Sequence, residues 1–327
     1  MWEPVAQHIA DNKNFVLTTH INPEGDAIGS EIALAAFLRN LGKNVTIVNS
    51  SPTPENCLFL DLTGDIKVYP EAYEPSVLEQ ADAVLIVDVN NWSHVGPFGE
   101  EVKKYDKPRI CIDHHEGADP DFADVVVSDT TAAAAGILIY ELIRHMKGEF
   151  TPAIVDALYT AIITDTGTFR FSNTDRRVFL AAADLYEMGA KPFVLHRKVF
   201  AKRWSAARLA GATLATLDST ADGKIAWIHV TQSMFNKAGA KYEDSDGLLD
   251  VVRAIGGVEL CLFFKENPDG TIKVSLRSNG NLDAFAIASR HGGGGHRMAA
   301  GLSVDGPMDR AIQMLVAESV KSLPPGG

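Results

Sequence analysis

The tripeptide Asp113-His114-His115 contains the residue types that most directly indicate chemistry in this sequence. It follows the apolar run at residues 109–112, which predicts a β-strand. Neighbouring side chains in an extended segment point to opposite faces, so one imidazole can bind a metal ion while the next faces a substrate. The tripeptide therefore predicts a chemical site at the carboxyl end of a strand.

A second group of candidate ligands lies near the amino terminus. His20, Glu24 and Asp26 fall between a strand predicted at residues 15–19 and a helix predicted at residues 27–41. In open α/β sheets, ligands bind beyond the carboxyl ends of strands, and a turn at this place can direct the three side chains towards one or two cations. The alternative is that Asp26 only caps the helix that follows it.

Two further carboxylates lie at the ends of predicted elements. Asp88 ends the apolar run at residues 84–87, where a buried carboxylate requires a partner or a metal ion. Asp165 follows a helix predicted at residues 152–163. Each also has a simpler interpretation, as a turn residue after the strand for Asp88 and as part of the turn that ends the helix for Asp165. The ordered combination of the four segments favours a metal site.

The order of predicted elements is typical of a parallel sheet flanked by helices, followed by a second, smaller α/β domain. We expect a first domain at residues 1–190, a helical linker at residues 191–222 and a second domain at residues 223–327. The remaining strands are predicted at residues 45–48, 225–230, 258–264 and 272–276. The remaining helices are predicted at residues 130–146, 177–188 and 308–323.

The composition limits the classes of protein to consider. The chain has 327 residues and a formal net charge of −12, which argues against long duplexes because their non-specific binders neutralise many phosphates. Three cysteines without a CxxC spacing indicate a reducing compartment. No leader pattern follows Met1, and no apolar run reaches transmembrane length. The sequence therefore predicts a cytoplasmic protein with no membrane partner.

In order along the chain, the four segments resemble the motifs of the DHH phosphoesterase superfamily; they are HINPEGDAIGS, Asp88, DHH and TDTGTFRFSNT. Three later segments resemble the DHHA1 domain; they are Ser275-Leu276-Arg277-Ser278, Gly293-Gly294-Gly295-His296 and Ala299-Ala300-Gly301. The combination is similar to the nanoRNase and pAp-phosphatase type of this family. The resemblance implies a catalytic DHH domain, a substrate-binding DHHA1 domain and an active-site cleft between them.

The resemblance also implies two divalent cations that share and acidify a water molecule. One cation is expected at His20, Glu24 and Asp88. The other is expected at Asp26, Asp88, His114 and Asp165, with Asp88 bridging the two. The expected catalytic residues are Asp88, Asp113, which would orient an imidazole, and His115, which would face the scissile phosphate.

The identity of the cations follows from the ligand types. Carboxylates and imidazoles without a thiolate suit manganese, with magnesium or cobalt as alternatives, better than structural zinc. Glu24 departs from the family pattern, which has aspartate at this position. The longer side chain can still bind a metal ion, shift the metal preference or act only as an outer ligand, and these roles stay open.

The second domain is expected to bind the substrate. The glycine run at residues 292–295 is poor material for a helix interior or a strand, and it suits close approach of backbone N–H groups to a phosphate. By the resemblance, the substrate-binding residues are Arg277, Ser278, Gly293, Gly294, Gly295 and His296. Arg277 would bind a phosphate through two charge-assisted hydrogen bonds. The alternatives are a flexible loop for the glycines and a solvent-facing side chain for Arg277.

The expected activity is hydrolysis of short single-stranded oligoribonucleotides such as pApA to nucleoside monophosphates, with pAp as a further substrate. The alternatives are a cyclic di-AMP phosphodiesterase and a nucleotide-binding sensor without turnover, the latter because of Glu24. The glycine-histidine segment argues against an inorganic pyrophosphatase. The resemblance is compatible with a homodimer.

Overall fold

The computed structural model describes residues 1–106 and 108–323 and divides into two compact units, Met1–Ala201 and Lys202–Gly327. Residue 107 of the expected first domain and residues 324–327 of the expected second domain lie outside the described residues. The α/β fold class is confirmed in both units. The boundaries at residues 190 and 222 stay predictions.

The first unit alternates strands with helices. Its strands are β1 (Asn14–Thr18), β2 (Asn44–Asn49), β3 (Ile66–Val68), β4 (Ala83–Val87), β5 (Arg109–Asp113) and β6 (Val125–Ser128). Its helices are α1 (Glu3–Asp11), α2 (Gly25–Asn40), α3 (Ser76–Glu79), α4 (Trp92–Val95), α5 (Pro97–Lys103), α6 (Ala135–His145), α7 (Pro152–Asp165), α8 (Arg176–Glu187) and α9 (Pro192–Phe200).

The six strands form a parallel sheet in the order β3-β2-β1-β4-β5-β6. Every residue of β4 is buried, as expected for a central parallel strand covered on both faces. Leu85 and Val87 pack in the core that includes α2, α6 and α7, whereas Val84 and Ile86 pack against α3 and α5 on the other face. The strand order reverses between β1 and β4, which is where open α/β sheets bind ligands.

Helix α2 is buried over the whole of residues 25–35, because it lies against α7 at very short range. A Cβ atom on Gly29 would lie 2.4 Å from the carbonyl oxygen of Ala157, and one on Gly25 would lie 2.4 Å from Cγ2 of Thr164. Only glycine allows this approach. The antiparallel contact brings the start of α2 next to the end of α7, and so brings Asp26 towards Asp165.

The second unit contains a smaller mixed sheet. Its strands are β7 (Asp218–Ser219), β8 (Ile225–Val230), β9 (Leu260–Glu266), β10 (Thr271–Ser278), β11 (Gly294–His296) and β12 (Ala299–Asp305). Its helices are α10 (Trp204–Leu214), α11 (Gln232–Ala238), α12 (Leu248–Arg253), α13 (Ala284–Ser289) and α14 (Met308–Lys321). The strand order is β11-β12-β10-β9-β8-β7, with β8 and β9 parallel and the other neighbours antiparallel.

Both faces of this second sheet are covered. Helices α13 and α14 pack on one face, and α10, α11 and α12 pack on the other. No helix among residues 1–106 and 108–323 is both long enough and apolar enough to cross a membrane.

The helix predicted at residues 130–146 begins later, at Ala135, and the helix predicted at residues 152–163 extends to Asp165. Asp165 therefore belongs to the last turn of α7 and does not follow the helix. Asp113 likewise belongs to β5, although the strand was expected to end before it. These differences are small, and they leave the acidic residues at the ends of their elements.

Candidate metal centre

Asp88 occupies the centre of the site. It follows β4 with a backbone φ of 60°, a left-handed conformation that is uncommon for a residue other than glycine, and it is 5% exposed. Its Oδ2 lies 3.6 Å from Nε2 of His20, and its Oδ1 lies 3.3 Å from Nε2 of His114. The two oxygens therefore face different histidines, as a bridging carboxylate requires.

The histidines are oriented through their Nδ1 atoms. Nδ1 of His20 donates to the carbonyl of Ile21 at 2.8 Å, and Nδ1 of His114 donates to the carbonyl of Ala132 at 3.0 Å. Because an oxygen acceptor fixes the proton on Nδ1, the neutral ring keeps its lone pair on Nε2. In both residues this is the atom that faces Asp88, so each imidazole presents the atom that binds a metal ion.

His115 is oriented by a carboxylate. Its Nδ1 donates to Oδ1 of the fully buried Asp113 at 2.8 Å, and its backbone N–H donates to Oδ2 of the same residue at 3.1 Å. The His115 side chain itself is 54% exposed. Of the two histidines in the tripeptide, His114 is thus the enclosed one and His115 faces outward.

Asp26 links two helices. Its Oδ2 accepts a hydrogen bond from the backbone N–H of Ala135 at 2.6 Å, and its Oδ1 accepts one from Gly136 at 2.9 Å. The N-cap residue of α6, Ala134, makes no side-chain cap, so Asp26 caps this helix from outside. The simpler alternative, that Asp26 caps the helix following it, was wrong, since Asp26 lies inside α2 and caps α6.

The predicted ligands of one cation converge. Nε2 of His114 lies 3.7 Å from Oδ2 of Asp26, 3.3 Å from Asp88 and 3.8 Å from Oδ2 of Asp165. Within the described residues, ligand atoms lie within 4.8 Å of one another in two groups of three. The groups are Asp26, His114 and Asp165, and Asp88, His114 and His115.

Two buried atoms favour a bound cation at this place. Oδ1 of Asp88 and Nε2 of His114 are both buried and face each other at 3.3 Å, and neither forms a hydrogen bond among the residues described. A buried polar atom without a partner is costly and uncommon. A divalent cation held by carboxylates and imidazoles would satisfy both atoms, so these residues fit the expected metal.

The charges of the site are strongly coupled. Burial would lower the pKa of His114, but Asp88, Asp26 and Asp165 outweigh it and raise the pKa to about 10. The pKa of His20 is raised in the same way: burial would lower it, but the carboxylate of Asp88 outweighs burial and raises it to about 9. In the metal-free protein, protons on these rings therefore balance the carboxylates, and a cation would replace them.

The pKa values of the carboxylates are shifted in different directions. Burial and the charges of Asp88 and Asp165 raise the pKa of Asp26 well above its usual value. Burial also raises the pKa of Asp165 to about 6. Burial acts in the same direction on Asp88, but its contacts with His114 and His20 outweigh burial and lower the pKa. Asp88 is thus the carboxylate that stays ionised most readily.

Glu24 lies at the edge of the site. It is the exposed N-cap residue of α2 and makes no side-chain capping bond. Neither group of converging ligand atoms within the described part of the chain includes it, or His20. Its charge does contribute to the raised pKa values of His20 and Asp165, so it is near both.

A cavity of about 410 Å³ opens at this centre. Three of its lining residues, His20, Asp88 and His115, belong to the site. The others come from the loops after β1, β4 and β5 and from the short helix α4, which contributes His94.

In the second unit, the sheet register aligns two predicted substrate contacts. Arg277 pairs with Ala299, and Ala299 pairs with His296 on its other side. Paired residues in antiparallel strands point to the same face. Arg277 and His296 thus lie in one row on one face of the sheet, two strand spacings or about 10 Å apart.

Three of the remaining predicted contacts, Ser278, Gly293 and Gly295, make close contacts within this unit. The fully buried hydroxyl of Ser278 accepts from the backbone N–H of Gly280 at 3.0 Å. Cβ atoms on Gly293 and Gly295 would lie 2.4 and 2.5 Å from the carbonyl oxygens of Gly301 and Ala299.

The expectation that the glycine run is unsuited to a strand was wrong, because Gly294–His296 form the edge strand β11. The absence of side chains lets β11 approach β12 closely. Gly294 has open space at its Cβ position.

Sequence reasoning missed the residues that hold the ligands in place. The carbonyl of Ala132 orients His114, and a Cβ on Gly136 would lie 2.5 Å from that of Ala161, which would push α6 away from Asp26. Gly136, a glycine inside a predicted helix, was the one sequence signal of this close packing. The role of the Ala132 carbonyl has no sequence signal, because every residue has a backbone carbonyl.

Comparison with known proteins identifies the family of the chain. Residues 14–162 match the model described as DHH family, N-terminal domain, and residues 224–321 match the DHHA1 domain. The chain belongs to the DHH family, and the resemblance stated from its motifs is confirmed.

The chain is similar over most of its length to proteins named bifunctional oligoribonuclease and PAP phosphatase NrnA. The one from Thermus thermophilus is 34% identical over 306 residues, which cover 93% of this chain and 88% of that protein. The one from Bacillus subtilis is 27% identical over 298 residues, with 88% of each covered. The crystal structure of an exopolyphosphatase-related protein from Bacteroides fragilis matches with a TM-score of 0.89 and 26% identity, covering 98% of this chain and 95% of that one.

Proposed function

We propose that the protein is a metal-dependent phosphoesterase that hydrolyses short oligoribonucleotides such as pApA to nucleoside monophosphates, and pAp to AMP. The observation that carries this proposal is the convergence of Asp26, Asp88, His114 and Asp165 where the strand order reverses, with two ligand atoms buried and unsatisfied. The names of the relatives support the substrate class.

The proposed ligands divide between two cations around Asp88. One cation would be held by Asp26, Asp88, His114 and Asp165, and the other by His20 and Asp88, with Glu24 completing it. When bound, two such ions would supply an acidified water as nucleophile and positive charge opposite the phosphoryl oxygens. The donor set supports manganese, with magnesium or cobalt as alternatives.

His115 is proposed to contact the scissile phosphate. The hydrogen bond from Nδ1 to Asp113, which outweighs burial, raises the pKa of His115. The ring is therefore more often doubly protonated near neutral pH than an ordinary histidine. Its Nε2–H can then donate to a phosphate oxygen or give its proton to the leaving oxygen.

The second unit is proposed to bind the substrate. Arg277 and His296, in one row of the sheet, supply a fixed charge and an imidazole, and Gly294 leaves open space at the edge strand. Gly293, Gly295 and Ser278 would act by holding the local backbone. Arg277→Ala should weaken binding of pApA while leaving metal content unchanged, and a loss of metal with normal nucleotide affinity would contradict the assignment.

The test is turnover of labelled pApA by the purified protein with manganese, magnesium or cobalt. Sustained release of AMP that Asp88→Asn abolishes, with folding intact, is expected. Tight binding without product in all three metals would favour the sensor and refute the enzyme. Faster turnover of cyclic di-AMP than of pApA and pAp would replace the proposed substrate by the cyclic dinucleotide.

A further inference from the structure

The cavity at the candidate metal centre is larger than a phosphate requires. Its volume of about 410 Å³ lies in the range of sites for small organic ligands. Besides His20, Asp88 and His115, its lining includes the residues His94 and Glu116 and the apolar residue Val89. The cavity therefore has room and chemistry for a group attached to the phosphate.

The loops that form this part of the cavity are tied together by hydrogen bonds. The backbone N–H of Ile21 donates to the carbonyl of His94 at 2.7 Å, and Nδ2 of Asn90 donates to the carbonyl of His115 at 2.8 Å. The side chain of Asn91 also has both of its polar atoms hydrogen-bonded, since its Oδ1 accepts from Ser93 and its Nδ2 donates to Asp119. The walls are thus built before any ligand binds.

Two side chains on these walls have no partner. Within the described residues, neither the imidazole of His94 nor the carboxylate of Glu116 forms a hydrogen bond or an ion pair, and both residues are exposed. A carboxylate only accepts hydrogen bonds, so Glu116 suits a ligand that carries hydroxyl groups. The flat ring of His94 suits a planar ligand that stacks or forms hydrogen bonds at its edge.

We propose that this cavity binds the nucleoside that stays esterified to the scissile phosphate, with Glu116 accepting hydrogen bonds from its ribose hydroxyls and His94 contacting its base. This inference rests on the proposed function. An acidic residue that binds ribose hydroxyls has a precedent in dinucleotide-binding folds with this strand order.

The chemistry of the two substrates makes the proposal specific. Hydrolysis of pApA forms a bond from the water oxygen to phosphorus and breaks the bond from phosphorus to the 3′ oxygen, which takes up a proton, so that two AMP molecules result. Hydrolysis of pAp breaks the same bond and releases orthophosphate with AMP. The retained nucleoside is present in pApA and absent from pAp. Substitutions in a site for the retained nucleoside must therefore affect the hydrolysis of pApA and not that of pAp.

The experiment compares kcat/KM for pApA and pAp in the wild type, Glu116→Ala and His94→Ala. The controls are Glu149→Ala, an exposed glutamate just before α7 and thus at the end of that helix away from Asp165, and His145→Ala, in the last turn of α6, whose ring pairs with the exposed Glu3. We expect Glu116→Ala to lower kcat/KM for pApA about tenfold, the effect of one hydrogen bond to a charged group, and His94→Ala to lower it about fivefold or more, the effect of one lost contact with a base. Turnover of pAp should stay within about twofold of the wild type.

A dinucleotide with 2′-deoxyribose in its second nucleoside tests whether Glu116 binds the ribose hydroxyl, separately from the contact of His94 with the base. The wild type should cleave it more slowly than pApA, and Glu116→Ala should cleave the two at nearly the same rate. An equal loss on pAp and pApA, or no loss on either, would overturn the proposal.

Binding of pApA and pAp to the metal-free protein tests the cavity without turnover. Weaker binding of pApA by Glu116→Ala, with unchanged binding of pAp, supports the site even if the wild type hydrolyses neither nucleotide, in which case the proposed function alone fails. Unchanged affinity for both nucleotides overturns the site.

Discussion

Loading the metal-free protein with cations at pH about 7 should release protons from the histidines at the candidate centre. The pKa values of about 10 for His114 and about 9 for His20 mean that both rings carry two protons at this pH. Nδ1 of each ring stays bonded to a carbonyl, so the proton that leaves is the one on Nε2. Each histidine must lose it before it can bind a metal ion.

The expected release is therefore roughly two protons per fully loaded protein, one from each ring. Asp26 adds to this number, because burial and two neighbouring carboxylates raise its pKa well above the usual value. Asp165, with a pKa of about 6, is already mostly ionised and adds little. Apparent metal affinity should consequently rise with pH and level off once both rings are neutral.

Calorimetric titration of manganese in buffers with different ionisation enthalpies measures directly the number of protons released on metal binding. His114→Asn should lower it by about one, whereas His115→Asn should leave it unchanged, because His115 is assigned to the substrate and not to a cation. A release close to zero in the wild type would refute the coupling between these rings and the carboxylates. An equal loss in both variants would refute the division of roles between the two histidines.

Three further predictions concern stability and metal content. In the metal-free protein, the raised pKa values of His20 and His114 stabilise the fold below the unfolded value near 6.5, and this stability is lost as pH rises through about 9 to 10. The melting temperature of the protein in chelator should therefore fall as the pH rises from about 6.5 to about 10. A melting temperature that stays constant over this pH range would contradict the prediction. Asp88→Asn should still fold, because asparagine tolerates the φ of 60°, but should lose metal in elemental analysis; full metal occupancy would contradict its bridging role. Gly29→Ala should lower the free energy of unfolding in urea by about 1–3 kcal/mol, because its Cβ would meet the Ala157 carbonyl at 2.4 Å. Gly211→Ala is the matched control, since it has open space in α10 and should gain up to about 1 kcal/mol.

The four central strands of the parallel sheet and the positions of the acidic residues were predictable because both depend on local patterns, whereas the edge strands β3 and β6 were not predicted. The short apolar run of β4 contains three β-branched residues, which favours a buried strand over a helix, and Asp88 at its end has few structural explanations. The same reasoning placed His20 and Asp113 near the ends of their strands. These predictions needed no knowledge of distant contacts.

The residues that fix the geometry could not be predicted from local patterns. Asp26 caps α6, a helix more than a hundred residues away in sequence, and nothing near Asp26 indicates that partner. The edge strand β11 was missed for a related reason. Its glycines have low strand propensity, and the backbone of β12 against which they pack becomes apparent only in the folded sheet.

The ligands of the candidate centre come from chain segments between residues 20 and 165, and this wide spacing sets an order of events in folding. No short stretch holds more than a fragment of the coordination set, so the closing of long loops must precede high-affinity capture of a cation. A nascent or nicked chain would bind metal weakly, and full occupancy would mark a chain whose first unit has completed its fold.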